Sequence, residues 1–234
     1  MAEITGPKII TSGLVLALDA ADINSYPRSG NTWYNISENG NNGTLINGPT
    51  FNSANGGSFF TDGSDDYIST PYSGSATDSY TFSVWFKNDN YSENKFILSR
   101  GRDQTGVFVT GWSLYNAVLT DGRATIGVVI TSPSLEGLAT YSTSVLALNT
   151  WYYITGVWTA GTSLQIYLNG VLQNTLSTTG KVVLRSSTNG WVLGSISSTN
   201  FTSGYTAVCH IYNRVLSGPE ILQNYNALKI RFGL

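Results

Sequence analysis

The 234-residue chain has one cysteine, Cys209, and one histidine, His210. A lone cysteine forms no internal disulfide, and one Cys with one His cannot build a tetrahedral zinc cage. Charge is scarce as well: 11% of the residues are Asp, Glu, Lys or Arg, against about a quarter in ordinary globular chains. The 12 basic residues oppose 14 acidic ones and are scattered from Lys8 to Arg231 without a cluster. That excludes the basic footprint of a nucleic-acid binder. Long apolar runs are missing too. The run Leu-Val-Leu-Ala-Leu at 14–18 is too short for a signal h-region or a membrane span, and residues 1–7 carry no basic n-region. Neither membrane insertion nor a secretory signal is expected.

What fills the chain instead is aromatic and small polar: six Trp, 14 Tyr, nine Phe and 25 Gly, with 41% hydrophobic residues overall. That supplies ample apolar area for a core, and leaves a surface of Asn, Ser, Thr, Gly and Tyr. Residues 80–87 read Tyr-Thr-Phe-Ser-Val-Trp-Phe-Lys, with Phe82, Val84 and Phe86 on one face and Ser83, Trp85 and Lys87 on the other. A period of two is a strand. Further strands are expected at 14–18, 95–100, 111–115, 124–130, 151–158, 163–168, 171–176, 191–193 and 205–212, whereas the Asn-, Gly- and Ser-rich stretch after Asp22 reads as long loops. Short strands at this spacing predict a two-sheet sandwich. Asn169-Gly170 between two alternating runs predicts a type I′ hairpin, since both residues accept positive φ. Only the end departs from this pattern. Ser217 with Glu220 three residues on, then Ile221, Leu222, Tyr225 and Leu228, predicts a capped C-terminal helix of about three turns.

Several segments in order carry a family likeness: Gly13-Leu-Val-Leu-Ala-Leu-Asp19, Asn42-Gly-Thr-Leu, 57–68 (Gly-Ser-Phe-Phe-Thr-Asp-Gly-Ser-Asp-Asp-Tyr-Ile), Trp151-Tyr-Tyr-Ile-Thr-Gly-Val-Trp158, Leu164-Gln-Ile-Tyr-Leu-Asn-Gly170 and Ile211-Tyr-Asn-Arg-Val-Leu-Ser217. The chain resembles concanavalin A-like, laminin-G-like jelly rolls, from about Gly13 to Tyr225. The resemblance implies an all-β, two-sheet antiparallel jelly-roll sandwich at 13–228, with an N-terminal arm at 1–12, a short C-terminal helix and a tail at 229–234. The Leu-Asp-Ala-Ala-Asp start, 39–45 (Asn-Gly-Asn-Asn-Gly-Thr-Leu) and 224–229 (Asn-Tyr-Asn-Ala-Leu-Lys) look like domains encoded by bacterial viruses. That likeness implies a virion surface component, a capsid decoration, fibre or tail part, with other virion proteins or a second copy of itself as partners.

Chemistry is read from what the strands could hold. Glycosidic hydrolysis needs two facing carboxyl groups about 5–10 Å apart, and the Glu-x-Asp-x-x-Glu strand of related glucanases is absent. Asp19, Asp22, Asp62, Asp65, Asp66, Asp78, Asp89, Asp103, Asp121 and Glu136 fall in expected loops or at strand ends. No catalytic residue is expected, and Cys209 and His210 read as packed side chains. Calcium is the one cofactor the resemblance raises. Asp19 matches one ligand position, but Asn35 and Ala207 stand where two further acids are usual, so weak or absent binding is implied near Asp19, with Asn35 able to offer only a carbonyl. The segment 62–66 (Asp-Gly-Ser-Asp-Asp) lacks the Glu of a calcium loop and reads as a turn. Sugar recognition uses aromatic faces with Asn, Asp and Gln on loops. Tyr91, Trp112, Tyr115 and Trp33 are the candidate ligand contacts, for a host surface polysaccharide. Core packing is the competing role for each, most of all for Trp33, and Trp85, Trp151 and Trp158 read as structural. Phe232 and Leu234 in the tail either cover the sandwich edge or dock onto a larger assembly.

Overall fold

The computed structural model describes residues 7–37, 39–72, 74–75, 78–90, 95–100, 113–116, 122–130, 136–181, 190–195 and 200–234. Among them, sixteen strands form two sheets. They are β1 (Leu14–Asp19), β2 (Thr32–Trp33), β3 (Gly43–Ile46), β4 (Thr50–Asn52), β5 (Ser58–Asp62), β6 (Tyr67–Ser69), β7 (Tyr80–Asn88), β8 (Lys95–Ser99), β9 (Ser113–Asn116), β10 (Arg123–Ile130), β11 (Glu136–Val145), β12 (Trp151–Thr159), β13 (Ser163–Leu168), β14 (Val171–Ser177), β15 (Val192–Leu193) and β16 (Ser203–Tyr212). The first sheet runs β14-β13-β12-β7-β16-β5-β4, with β1 also on β16, and the second runs β11-β10-β9-β8-β15-β6-β3-β2. Every pairing among the described residues is antiparallel. The architecture is the expected jelly-roll sandwich.

Two expectations about elements are corrected. The stretch after Asp22 is not only loop: β2 to β5 lie in it, at two to five residues each too short to show an alternating pattern. Strand β11, Glu-Gly-Leu-Ala-Thr-Tyr-Ser-Thr-Ser-Val, escapes the sequence pattern because its Gly, Ala, Ser and Thr give little contrast between the two faces. Elsewhere the expected strands hold to within two residues, apart from 111–112, which lie outside the described residues. Asn169 and Gly170 take φ of 51° and 79°, as the type I′ hairpin between β13 and β14 requires.

Between the sheets, Leu16, Leu18, Trp33, Phe59, Phe82, Val84, Phe86, Ile126, Ile154, Trp158, Trp191 and Ile211 make the core. Gly156 in β12 is required there, because a Cβ would stand 2.2 Å from the Phe82 ring and 2.3 Å from Ile126. A second cluster lies on the other, outer face of the first sheet: Trp85, Trp151, Tyr153, Val157, Tyr167, Val208, Tyr212, Leu216, Ile221 and Phe232. Its cover is the helix α1 (Gly218–Leu228) and the 3-10 turn Lys229–Phe232. The helix begins at a capping box, where Glu220 Oε2 accepts the Ser217 N–H at 2.8 Å and Arg214 forks onto both carboxylate oxygens at 2.7 and 3.2 Å. The Arg214 guanidinium and the Ser217 N–H hold Glu220 down at about 2. From the tail, the Phe232 ring stacks on Trp85 with centroids 4.0 Å apart. Thus Phe232 covers the sandwich's own face, while Leu234 stays exposed. The N-terminal arm joins the same layer: Ile10 N–H donates to Asn224 Oδ1 at 2.7 Å, and the Tyr212 hydroxyl donates to Ile10 C=O at 2.9 Å. No helix among the described residues is long and apolar enough to cross a membrane.

Candidate functional site

The helix and tail cover only part of the outer face of the first sheet. Beyond the tail, the register aligns Thr50, Phe60, Tyr205, Lys87 and Trp151 in one row across β4, β5, β16, β7 and β12. Their chain neighbours Phe59 and Phe86 point into the core, so the row faces outward by the period-two rule. The Phe60 and Tyr205 rings are 4.8 Å apart, tilted by 42°. Lys87 Nζ lies 4.2 Å from the Tyr205 ring centre and 5.5 Å from that of Trp151, within cation–π range. Trp151 is buried under Phe232 and donates its indole N–H to Asn55 Oδ1 at 3.1 Å. Phe60, Tyr205 and Lys87 are half-buried, and the next outward pair, Asp62 and Ser203, borders them. The arrangement offers two aromatic faces for apolar C–H patches, one ammonium donor, and a carboxylate and a hydroxyl at the edge. Asp62 is kept low by the backbone N–H of Ser64 and so presents an anion.

Of the residues expected from sequence, Tyr115 and Trp33 stand elsewhere. Tyr91 and Trp112 lie outside the described residues. Tyr115 sits in β9 of the second sheet, in register with Phe96 and Thr125. Trp33 is a correction: it is fully buried, its ring 4.8 Å from that of Phe59, because the β2–β3 pairing turns it between the sheets. A ring with no exposed face cannot stack on a ligand. Phe60 and Tyr205 were missed. A usable signal was present in Ser58-Phe-Phe-Thr61, since adjacent aromatics in a strand must face opposite sides.

The acidic segments serve the fold. Carboxylate oxygens of Asp62, Asp65 and Asp66 come within 4.8 Å of one another. Asp62 Oδ1 accepts the Ser64 N–H at 2.8 Å and Asp66 Oδ2 accepts the Asp62 N–H at 3.2 Å, which closes the turn between β5 and β6. Burial and the neighbouring Asp62 charge raise Asp66 above the ordinary carboxylate range. Near Asp19, the groups at the implied calcium positions are taken up by other partners. Asn35 is buried and clamps β1: its Oδ1 accepts the Ala17 N–H at 2.8 Å, and its Nδ2 donates to Val15 C=O at 3.2 Å. Ala207 is buried, and its carbonyl accepts the Ala20 N–H. Asp19 Oδ1 instead receives Arg231 Nη1 at 2.6 Å. These residues do not fit a metal site. Burial pushes the Cys209 thiol up and pulls His210 down to about 4, so both are neutral at pH 7.

The profile of the Concanavalin A-like lectin/glucanases superfamily, laminin-G type, matches residues 62–222. The chain belongs to this superfamily. No curated protein matches the sequence. Among solved structures, this superfamily member is similar to the binding domain of Paraclostridial Mosquitocidal Protein 1, at 14% identity and a TM-score of 0.71, over 92% of this chain and 52% of that one. It is equally similar to domain 4 of AbnA, a GH43 extracellular arabinanase from Geobacillus stearothermophilus, solved in complex with arabinotriose: 16% identity, TM-score 0.71, 92% of this chain and 100% of that one. A third similar structure is the botulinum neurotoxin serotype G binding domain, at 18% identity and a TM-score of 0.67, over 91% and 50% of the two chains. The chain thus spans about half of the toxin binding domains and the whole of the arabinanase domain. At these identities the likeness is one of fold, and the two toxin structures are binding domains.

Proposed function

We propose that this chain is a non-catalytic glycan-adhesion domain displayed on a virion surface. The adhesive part is carried by one observation, the half-buried Phe60–Tyr205 pair with Lys87 and Asp62 beside it on a rigid sheet. Aromatic faces take up the C–H patches of a sugar ring while charged and polar neighbours bond its hydroxyls. The arabinotriose-bound arabinanase domain, matched along its full length, supports a saccharide as ligand. The virion setting rests on the resemblance of residues 18–22, 39–45 and 224–229 to domains encoded by bacterial viruses. Its partners are then neighbouring virion proteins or further copies of the chain, with a host surface polysaccharide as the ligand. A single such site binds weakly, and many copies on one particle raise the effective affinity by orders of magnitude.

The test is a dense array of bacterial polysaccharides probed with the wild type, Tyr205→Ala and a Tyr115→Ala control, together with light scattering of the purified chain. Binding lost only in Tyr205→Ala supports the row on the first sheet. Loss only in Tyr115→Ala moves the contact to the second sheet, with Tyr91 and Trp112 as its further candidates. A blank array overturns the adhesive role and leaves a structural subunit. Mass spectrometry of purified particles that lack the chain overturns the virion setting. The full-length match to an arabinanase domain favours a second reading, a free-standing carbohydrate-binding module with no structural role in a particle.

A further inference from the structure

The seam between the covered and the open parts of the first sheet is an oxygen-lined cradle. It forms where 19–21 at the end of β1 meets the turn at 54–57. Asn55 has a φ of 52° and Gly57 one of 149°, and a Cβ on Gly57 would lie 2.3 Å from the Ala20 carbonyl oxygen. The two backbones are therefore pressed together with their oxygens converging. Arg231 reaches into this cradle from the tail: Nη1 donates to Asp19 Oδ1 at 2.6 Å, Nη2 to Gly57 C=O at 2.6 Å, and Nε to Asn55 C=O. Asn55 returns a bond, its Nδ2 donating to Arg231 C=O at 3.0 Å, and its Oδ1 is held by Trp151. The adjoining carbonyls of Ala20, Ala21 and Gly56 go to Arg28. The side chains of Arg231 and Asp19 keep only 14% and 19% of their surface exposed.

One carboxylate and two carbonyls converging on one positive charge are the ligand types a hard divalent cation takes. We propose that the Arg231 guanidinium is the resident cation of this rim cradle, so that the domain needs no metal there, and that removing the guanidinium turns the cradle into a Ca2+ site. The disagreement between Asp19 and a metal role is thereby explained: the chain supplies the charge covalently. It also binds the tail in the same act, because the residue after Arg231 is Phe232, the ring stacked on Trp85. This inference stands apart from the adhesive reading, and neither needs the other.

The experiment compares wild type, Arg231→Met, which keeps the aliphatic stem, and Arg231→Met with Asp19→Asn. Two readouts are thermal unfolding with EDTA or millimolar Ca2+, and Tb3+ luminescence excited through Trp151, whose indole bonds Asn55. The wild type should show no shift in Tm with either addition and no tryptophan-sensitised Tb3+ emission from the cradle. Arg231→Met should melt several degrees lower, regain part of that loss in millimolar Ca2+, and sensitise Tb3+. The double variant should lose both responses. A wild type stabilised by Ca2+ or lit by Tb3+ to the same extent overturns the proposal. So does an Arg231→Met protein that shows no Ca2+ response, whether it folds alone or stays unfolded with Ca2+ present.

Discussion

The outer face of the first sheet carries aromatic side chains in two parts, and the two lead different lives. Under the helix and tail, Trp85, Tyr153, Tyr167 and Tyr212 are buried, with Trp85 stacked on Tyr225 and Phe232 and Tyr153 tilted against Tyr225. Beyond the tail, Phe60 and Tyr205 show the same chemistry half-buried, with Lys87 over a ring. Side-chain type does not separate them. What separates them is eleven residues of helix and a four-residue turn laid over one part and not the other. An aromatic row on a sheet is core where the chain returns over it and a half-buried, open face where it does not.

The comparison breaks most severely at Trp85. Truncation to Ala would remove the ring on which Phe232 stacks at 4.0 Å and Tyr225 at 5.7 Å. A loss of about 3–5 kcal/mol in unfolding free energy is expected, as for large buried aromatics, measured by denaturant titration. A loss of under about 1 kcal/mol would mean that the cover contributes little and that the two parts are not distinct.

Acid should loosen the covered part next. His210 lies on that face, opposite Ser83 and 6.4 Å from the Tyr212 ring. Burial depresses its folded-state value to about 4, with Asp19 opposing the shift. A depressed base binds more protons when unfolded, so stability is full above about pH 6.5 and falls as pH drops toward 4. Between about pH 7 and about pH 5 the loss should be of order 2 kcal/mol. His210→Asn should flatten that stretch of the pH–stability curve, and an unchanged slope would remove the assignment.

How far the sequence could carry this contrast depends on distance along the chain. The β13–β14 hairpin and the capping box are written in neighbouring residues, Asn169-Gly170 and Ser217 to Glu220, and both are found where expected. The alternation in β7 also holds, with Phe82, Val84 and Phe86 inward and Trp85 and Lys87 outward. The pattern could not show that Trp85 would be covered by a ring 147 positions later while Lys87, two residues on, would not. Phe60 and Tyr205 meet only because β5 pairs with β16, a register no local pattern encodes. Trp33 failed as a contact for the converse reason: its Asn- and Gly-rich surroundings look like loop, but a two-residue bridge to β3 is enough to bury it.

A smaller effect is expected at the start of the cover. Glu220 is held at about 2 by Arg214 and the Ser217 N–H. A depressed carboxylate stabilises above its unfolded value near 4.5 and loses that contribution as pH falls toward 2. Glu220→Ala should cost about 1 kcal/mol at neutral pH and nothing once the wild-type residue is protonated, seen as two stability curves that converge in acid. Parallel curves would show that the cap acts through packing alone.

In the open part the effect on stability is of the same small size, and there the contrast is sharpest. Tyr205→Ala and Phe60→Ala each give up a tilted ring pair worth about 0.5–1.5 kcal/mol, and solvent already reaches both side chains. If this row is the contact surface, either variant should keep its Tm within a few degrees of the wild type and still lose tenfold or more in glycan affinity, about 1.4 kcal/mol of binding. Lys87→Met, which keeps the stem but removes the charge above Tyr205, should weaken binding less than either ring deletion, because an exposed cation–π contact is worth about 0.5–1 kcal/mol. Paired titrations and melts on the three variants decide it. Binding that falls in proportion to stability would make the open row a frayed edge of the core, and binding that falls alone would make it the surface that the helix leaves free.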